Sequence, residues 1–196
     1  MCIKRNVPAI LAAGLLLMPA FAQAQTMMSP KDTTTLRDGQ HDFDFVLGKW
    51  KAHLRRLVHP LTGSTTWVEF DGTDECRPVW GGLANLDVIE VDDPKTNTHI
   101  KGLTLRLYNT DTHLWSLYWS STALGALSLP ATVGRFDGKG RGEFYDQEDY
   151  QGRPILVRFV WSNITPTSAH FEQAFSPDWG KTWEVNWIYD GTRVKE

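Results

Sequence analysis

From Leu47 to Tyr189 the chain repeats one pattern, a large apolar side chain at every second residue. It is clearest in Leu103, Leu105 and Leu107; in Trp115, Leu117 and Trp119; in Val157, Phe159 and Trp161; in Phe171 and Phe175; and in Trp183, Val185 and Trp187. Successive side chains of a strand point to opposite faces, so each run predicts a β-strand with one apolar side. The predicted strands cover residues 47–58, 64–76, 84–91, 100–108, 114–121, 132–136, 142–146, 153–161, 169–175 and 183–189. Turn residues separate them: His59-Pro60, Asp92-Asp93-Pro94, Asn109 to Thr112, and the hairpin dipeptide Asp137-Gly138. Asp71-Gly72 marks a bulge or break inside the second strand. No stretch has a sustained helical period; a single turn fits only near Leu83 or within 123–129.

Even spacing with short turns predicts an antiparallel meander. A flat sheet of about ten strands would leave two open edges, and closure removes both. The expected fold is therefore all-β, a single antiparallel meander closed into a barrel of about ten strands; a two-sheet sandwich is the alternative. In a one-layer barrel the apolar parity should face inward, because each large side chain buried contributes about 1.5–3 kcal/mol. Arg106, Tyr118, Arg158, His170, Glu172, Glu184 and Asn186 would then face water. Three polar residues fall on the inward parity: Gln173, Tyr189 and, counted from Trp50, Arg56. The opposite orientation would gather Arg55, Arg106, Tyr118, Arg158, Glu172, Glu184 and Asn186 around a charged lumen and leave the apolar side needing a cover such as a dimer partner.

The first residues change the picture of where the protein works. Lys4 and Arg5, an apolar run from Val7 to Phe21 and Ala22-Gln23-Ala24 have the layout of a secretory signal peptide cleaved before Gln25. The run is shorter than the ~20 residues of a spanning helix and holds Pro8 and Pro19. The expectation is an exported protein, periplasmic or extracellular, without stable membrane insertion. Residues 25–42, polar and without apolar period, read as a flexible lead-in, and 43–196 as the barrel domain. Cleavage would remove two bases and no acid, moving the formal charge from −3 to −5. It would also remove Cys2, leaving Cys76 as a lone thiol unable to form an internal disulfide. No basic run exceeds Arg55-Arg56, so nucleic acid is not an expected partner.

Two motifs stand out. Gly48-Lys49-Trp50 heads the first long strand within Phe43-Asp44-Phe45-Val46-Leu47-Gly48-Lys49-Trp50. It resembles the Gly-x-Trp signature of lipocalins and related calycin barrels, and the longer segment is similar to exported bacterial barrel proteins of unknown function. The resemblance implies that Gly48 bends the chain into the barrel, that Trp50 plugs its closed end, and that Arg193 stacks on the indole. Other lipocalin signatures and an internal disulfide are missing. The second motif, Ser176-Pro177-Asp178-Trp179-Gly180-Lys181-Thr182-Trp183, matches the Asp-box turn, with structural roles for Asp178, Gly180 and Trp183. A single box in a chain of this length excludes the multi-bladed propeller of a sialidase. The six histidines have no metal-ligand spacing, and neither a nucleophile elbow nor a phosphate loop is present.

The functional expectation is a barrel holding a small apolar or aromatic molecule. Trp115, Trp119, Phe159, Phe171 and Trp187 would line the cavity; Arg56, Gln173 and Tyr189 would orient the ligand. The alternatives are a hydrolase or isomerase on the same barrel, using Glu172, Glu184, Tyr118 and Arg158, and a structural module with a filled core. No cofactor is indicated, and the oligomeric state is not legible.

Overall fold

The structure is a computed structural model that describes residues 37–93, 95 and 97–195. The expected signal segment and the expected lead-in up to residue 36 lie outside these residues. Ten strands follow one another: β1 (Gly48–Leu57), β2 (Trp67–Val79), β3 (Ala84–Asp93), β4 (Thr98–Asn109), β5 (Leu114–Ser121), β6 (Thr132–Phe136), β7 (Gly142–Tyr150), β8 (Arg153–Ser162), β9 (Ser168–Ser176) and β10 (Glu184–Arg193). Each pairs antiparallel with its sequence neighbour, and β1 pairs with β10, so the sheet is a closed barrel rather than a sandwich. Short 3-10 turns at Asp44–Val46 and Trp80–Gly82 are the helical pieces among the described residues. β2 runs through Asp71-Gly72 without a break in register, against His53 and Ala52. The Asp137-Gly138 connection is wider than a two-residue hairpin: the Asp137 N–H donates to the Arg141 carbonyl at 2.8 Å.

One end of the barrel is plugged. Residues 37–47 cross it, and the core there is aromatic: Phe43, Trp50, Trp115 and Phe144 are almost fully buried. Phe43 meets Trp115, Phe136 and Trp161 edge-on at ring separations of 5.1, 5.0 and 6.2 Å, the geometry aromatic quadrupoles favour. Residues 37–42, polar in composition, are tied to the plug: the Gly39 N–H donates to Tyr108 Oη, and Trp115 Nε1 donates to the Gly39 carbonyl, both at 2.9 Å. Gly48 takes a φ of 99°, a left-handed conformation that glycine adopts without strain. This turns the chain into β1. Arg193 lies over the Trp50 ring at 4.2 Å and donates to the carbonyls of Leu47, Phe45 and Pro166 at 2.6, 2.6 and 2.8 Å. The contact that the lipocalin resemblance implies is thus present.

The apolar parity faces inward on β5, β8 and β9, but β4 is turned the other way. Arg106 is buried inside the barrel; Leu103, Leu105 and Leu107 face outward, opposite Val88, Leu86 and Ala84 of β3. β4 carries the leucines on one face and Gly102, Thr104, Arg106 and Tyr108 on the other, and the second face is the inner one because its polar members find partners inside the barrel. The cost of burying a guanidinium is met by Asp87, Asn85 and two aromatic rings. Two further placements differ. A register shift between Val185 and Trp187 is a β-bulge, and it brings Asn186 into the interior, where Gln173 Nε2 donates to its Oδ1 at 2.8 Å. Trp183 leaves the inward row and packs on the outer wall, with the Arg158 guanidinium 4.5 Å from its ring and Tyr145 beside it.

Candidate functional site

Above the plug the barrel is not filled. A cavity of about 320 Å³ opens between the walls, lined by residues from nearly every strand. Trp119, Phe159, Phe171, Gln173, Trp187 and Tyr189, all expected to line it, do so. Trp119 reaches across the lumen to Trp187, with ring centroids 6.4 Å apart. Gly102 makes this possible: a Cβ at that position would lie 2.1 Å from the Trp119 ring, so the indole can lie flat across β4 only over a glycine.

Two expected lining residues sit elsewhere. Trp115 belongs to the plug, 1% exposed beneath Phe43. Arg56 is exposed at the rim, with its guanidinium over the Phe70 ring at 5.3 Å; the inward parity of β1 ends there because the barrel does. The alternative catalytic set does not assemble in the lumen. Glu172 pairs with Val160 and binds His170 on the outer wall at 3.2 Å. Arg158 stacks on Trp183 outside, and Tyr118 opposes the outward Leu105. Glu184 lies at the mouth, where it accepts the Leu61 N–H at 2.6 Å and ties down the β1–β2 loop. That loop packs Leu61 against Ile155, Val157 and Phe175.

Besides Gln173 and Tyr189, the polar groups that face the cavity are ones outside the expected set. Asp74 on β2, Asp87 on β3 and Arg106 on β4 form its floor, and Asp146 and Glu148 on β7 stand on the opposite side of the ring of strands. Arg106 donates to Asn85 Oδ1 at 2.9 Å and to Asp87 Oδ2 at 3.4 Å. Its guanidinium carbon lies 5.1 Å from the Phe43 ring centre and 5.8 Å from that of Trp161. Burial works against its charge, but Asp87, Cys76 and Asp74 outweigh burial and hold its pKa above the usual value. Tyr189 Oη donates to Asp74 Oδ2 at 2.9 Å. Burial, and then the neighbouring Asp87 charge, push the Asp74 carboxyl well above the ordinary carboxylate range. Burial pushes up Asp146 as well, against the Thr132 hydroxyl that donates to its Oδ2 at 2.7 Å. Burial and Asp146 together bring Glu148 up to about 7.

Several atoms in this cluster have no partner: Oδ1 of Asp74, Asp87 and Asp146, Nε of Arg106, and the Asn186 side-chain nitrogen. Buried polar atoms are normally satisfied, so such a group of orphans in a cavity is what a bound molecule would complete. Cys76 is not reactive: it is buried beside Asn85 and Arg106, and desolvation raises its thiol to about 12. No three His, Cys, Asp or Glu side chains among the described residues converge as a metal site requires.

No family model matches the chain, and no curated protein matches it. Its fold is shared. An S-type phycobiliprotein lyase from Guillardia theta superposes with a TM-score of 0.57 at 14% identity, over 82% of this chain and 95% of that one. At that identity the likeness speaks to architecture alone: the chain is a ten-stranded, lipocalin-like barrel.

Sequence reasoning missed the acidic floor for a traceable reason. Counting by twos from Phe70 brings Asp74 and Cys76 inside, and counting from Phe144 brings in Asp146 and Glu148. In both strands the apolar row stops after its first members, so acids continue an inward parity that hydrophobicity no longer marks.

The Asp-box closes the β9–β10 connection at the mouth. Asp178 accepts from the Thr182 hydroxyl at 2.7 Å, the Thr182 N–H at 2.9 Å and the Ser176 hydroxyl at 2.9 Å. These bonds, led by the Thr182 hydroxyl, hold its carboxyl at about 2. Gly180 has a φ of 86°, and Trp183 Nε1 donates to the Gly180 carbonyl. Asp178 serves the turn and does not reach the cavity.

Proposed function

We propose that the protein is an exported carrier or receptor that holds one small apolar or aromatic molecule in the upper lumen. The observation that carries this reading is an open, ring-lined cavity whose buried polar atoms lack partners. A filled structural core would have no such space, and an idle cavity would not keep unsatisfied carboxyls in it. The shared architecture with a phycobiliprotein lyase supports a ligand-holding barrel. Export rests on the N-terminal signal layout. The body of the ligand lies between Trp119, Trp187, Phe159 and Phe171, and its polar end meets the floor.

Tryptophan emission tests this. Trp119 and Trp187 border the cavity, so titration with a panel of fatty acids, terpenoids, haem and flavonoids should quench or shift emission with saturation at one equivalent. Replacing both indoles by Phe should remove most of the change, with Trp161, the third indole on the cavity, left as the remaining reporter. An unchanged spectrum across the panel overturns the reading. Export is tested separately: fractionation should find the processed chain outside the cytoplasm, beginning at Gln25.

A second reading is favoured by Glu148, a cavity-lining carboxyl brought to about 7. A group titrating there can give and take a proton near neutral pH, as general acid–base chemistry requires. The carboxylates of that reading are Glu148 and Asp74 in place of Glu172 and Glu184. Conversion of a bound ligand that stops in Glu148→Gln, with binding retained, would support it over simple carriage; ligand recovered unchanged would exclude it.

A further inference from the structure

We propose that the cavity selects a lipophilic cation: an amine whose ammonium sits among the inward carboxyls while its aromatic or aliphatic body lies against Trp119, Trp187, Phe159 and Phe171. This rests on reading the cavity as a ligand site, and adds the charge of the ligand.

The argument begins with the charges that face the lumen. Four acids line it, Asp74, Asp87, Asp146 and Glu148, against one base, Arg106. Arg106 is already committed, with its two terminal nitrogens on Asn85 and Asp87 and its plane between the Phe43 and Trp161 rings. Asp146 and Glu148 therefore face the cavity without a cationic partner among the described residues, and Asp74 shares the single charge of Arg106 with Asp87. Asp74 and Asp87 are more than nine-tenths buried, at 7% and 5% exposure, and each keeps one carboxylate oxygen unpartnered. Asp146 does the same on the facing wall, beside Glu148 two residues along one strand face.

Each class of ligand fares differently. A carboxylate or phosphate would approach these acids and find one charged donor free, Nε of Arg106, beside the neutral N–H groups of Trp161 and Asn186. A neutral molecule leaves the carboxyls as they are, protonated or unpaired. An ammonium donates up to three hydrogen bonds, supplies the missing opposite charge, and lies where aromatic faces attract cations. The cavity holds a ring system with a short amine arm and excludes a bulky polar one.

The test uses one frame with three head groups, titrated into the full-length mature protein by calorimetry at pH 7.5: 2-(2-naphthyl)ethylamine, 2-(2-naphthyl)ethanol and 2-naphthylacetate. The amine should bind at least about tenfold tighter than the alcohol, the scale of one charge-assisted contact, with the acid weakest. Glu148→Gln and Asp74→Asn should each bring the amine-to-alcohol ratio towards one, with the larger loss on the amine. Glu148 is only part-buried, so its variant stays informative if Asp74→Asn fails to fold. Equal binding of all three, or tightest binding of the acid, overturns the cation inference and leaves the ligand site standing. Binding of the apolar panel without the amine does the same. If neither the three probes nor the panel binds, both readings fall together.

Discussion

The two ends of this barrel use the same kind of inward side chain to opposite effect. At the plug the polar groups that enter find partners, except Nε1 of Trp161, whose ring lies between the plug and the cavity. Trp50 Nε1 donates to the Val46 carbonyl, Trp115 Nε1 to that of Gly39, Tyr108 Oη to Asp38, and Arg193 to three carbonyls. A few residues higher, Asp74, Asp87, Asp146 and Arg106 keep atoms without partners, and the rings of Trp119 and Trp187 border empty space. Both regions are aromatic, so aromatic content does not tell structure from function here. Satisfaction does. Where packing is the purpose, most buried donors and acceptors are closed within the chain; around the lumen the carboxyls leave valences open.

The sharpest way to break this comparison is to remove one indole from each end. Trp50→Ala should cost about 3–5 kcal/mol, the range for deleting a large buried ring. Trp187→Ala should cost clearly less, on the order of 1–2 kcal/mol, because it enlarges a space that already exists. Urea unfolding of both variants checks this; equal losses would mean that the lumen is as much a structural core as the plug.

Arg106 is next, since it stands between the regions. Arg106→Met should cost about 3–5 kcal/mol because Asp87 is left buried and alone. Adding Asp87→Leu should recover most of it, as matched apolar pairs often replace buried ion pairs without loss. Failure of the second change to rescue would show that the Phe43 and Trp161 contacts, rather than charge, hold the floor.

Glu148 should behave in the opposite sense, as a residue kept at a cost to stability. Its pKa rises from 4.5 to about 7 on folding, so between those values the folded protein binds more protons than the unfolded chain, and stability falls as pH rises. Glu148→Gln should therefore stabilise by roughly 1–2 kcal/mol above pH 7, less than the full shift implies because water screens part of the charge. The gain should vanish below about pH 4.5. Thermal melts across that range read it directly, and a Gln variant that is no more stable at pH 8 would place Glu148 in the satisfied class.

The outer wall supplies the smallest effect. Burial works against the charged form of His170, but Asp190 at 2.6 Å and Glu172 at 3.2 Å outweigh it and raise the pKa above 6.5. Its stabilisation is complete below pH 6.5 and is lost as pH rises through the raised folded value. His170→Gln should cost on the order of 0.5 kcal/mol at pH 5.5 and nothing at pH 9. A loss that persists at high pH would mean that the imidazole matters for packing rather than charge.

Strand positions were readable with little error, and β5 and β6 keep their expected limits. β7 was expected to end at residue 146 but runs to Tyr150, because its second half is Asp, Gln and Glu, which carry no apolar row. That shortfall hid Asp146 and Glu148. On β4 the leucine row was legible but its direction was not: either face could have been buried, and only the partners waiting on β3 make the arginine side the inner one. Arg56 and Trp115 share their parity with lining residues; their distance from the cavity is a matter of height along the barrel, which alternation does not encode.

What the amino-acid order settles here is local. Alternation makes strands, turn residues space them, Gly48 turns the chain into the first strand, and the Asp-box supplies one turn. These depend on neighbours a few residues apart or on a single conformational requirement. Which face of β4 looks inward, where the plug stops and the cavity starts, and which carboxyls share the lumen were decided only when the sheet closed. Closure brings β2 and β3 opposite β7, sets acids from distant strands around one space, and raises the proton affinity of Asp74, Asp146 and Glu148 through burial that no single strand possesses.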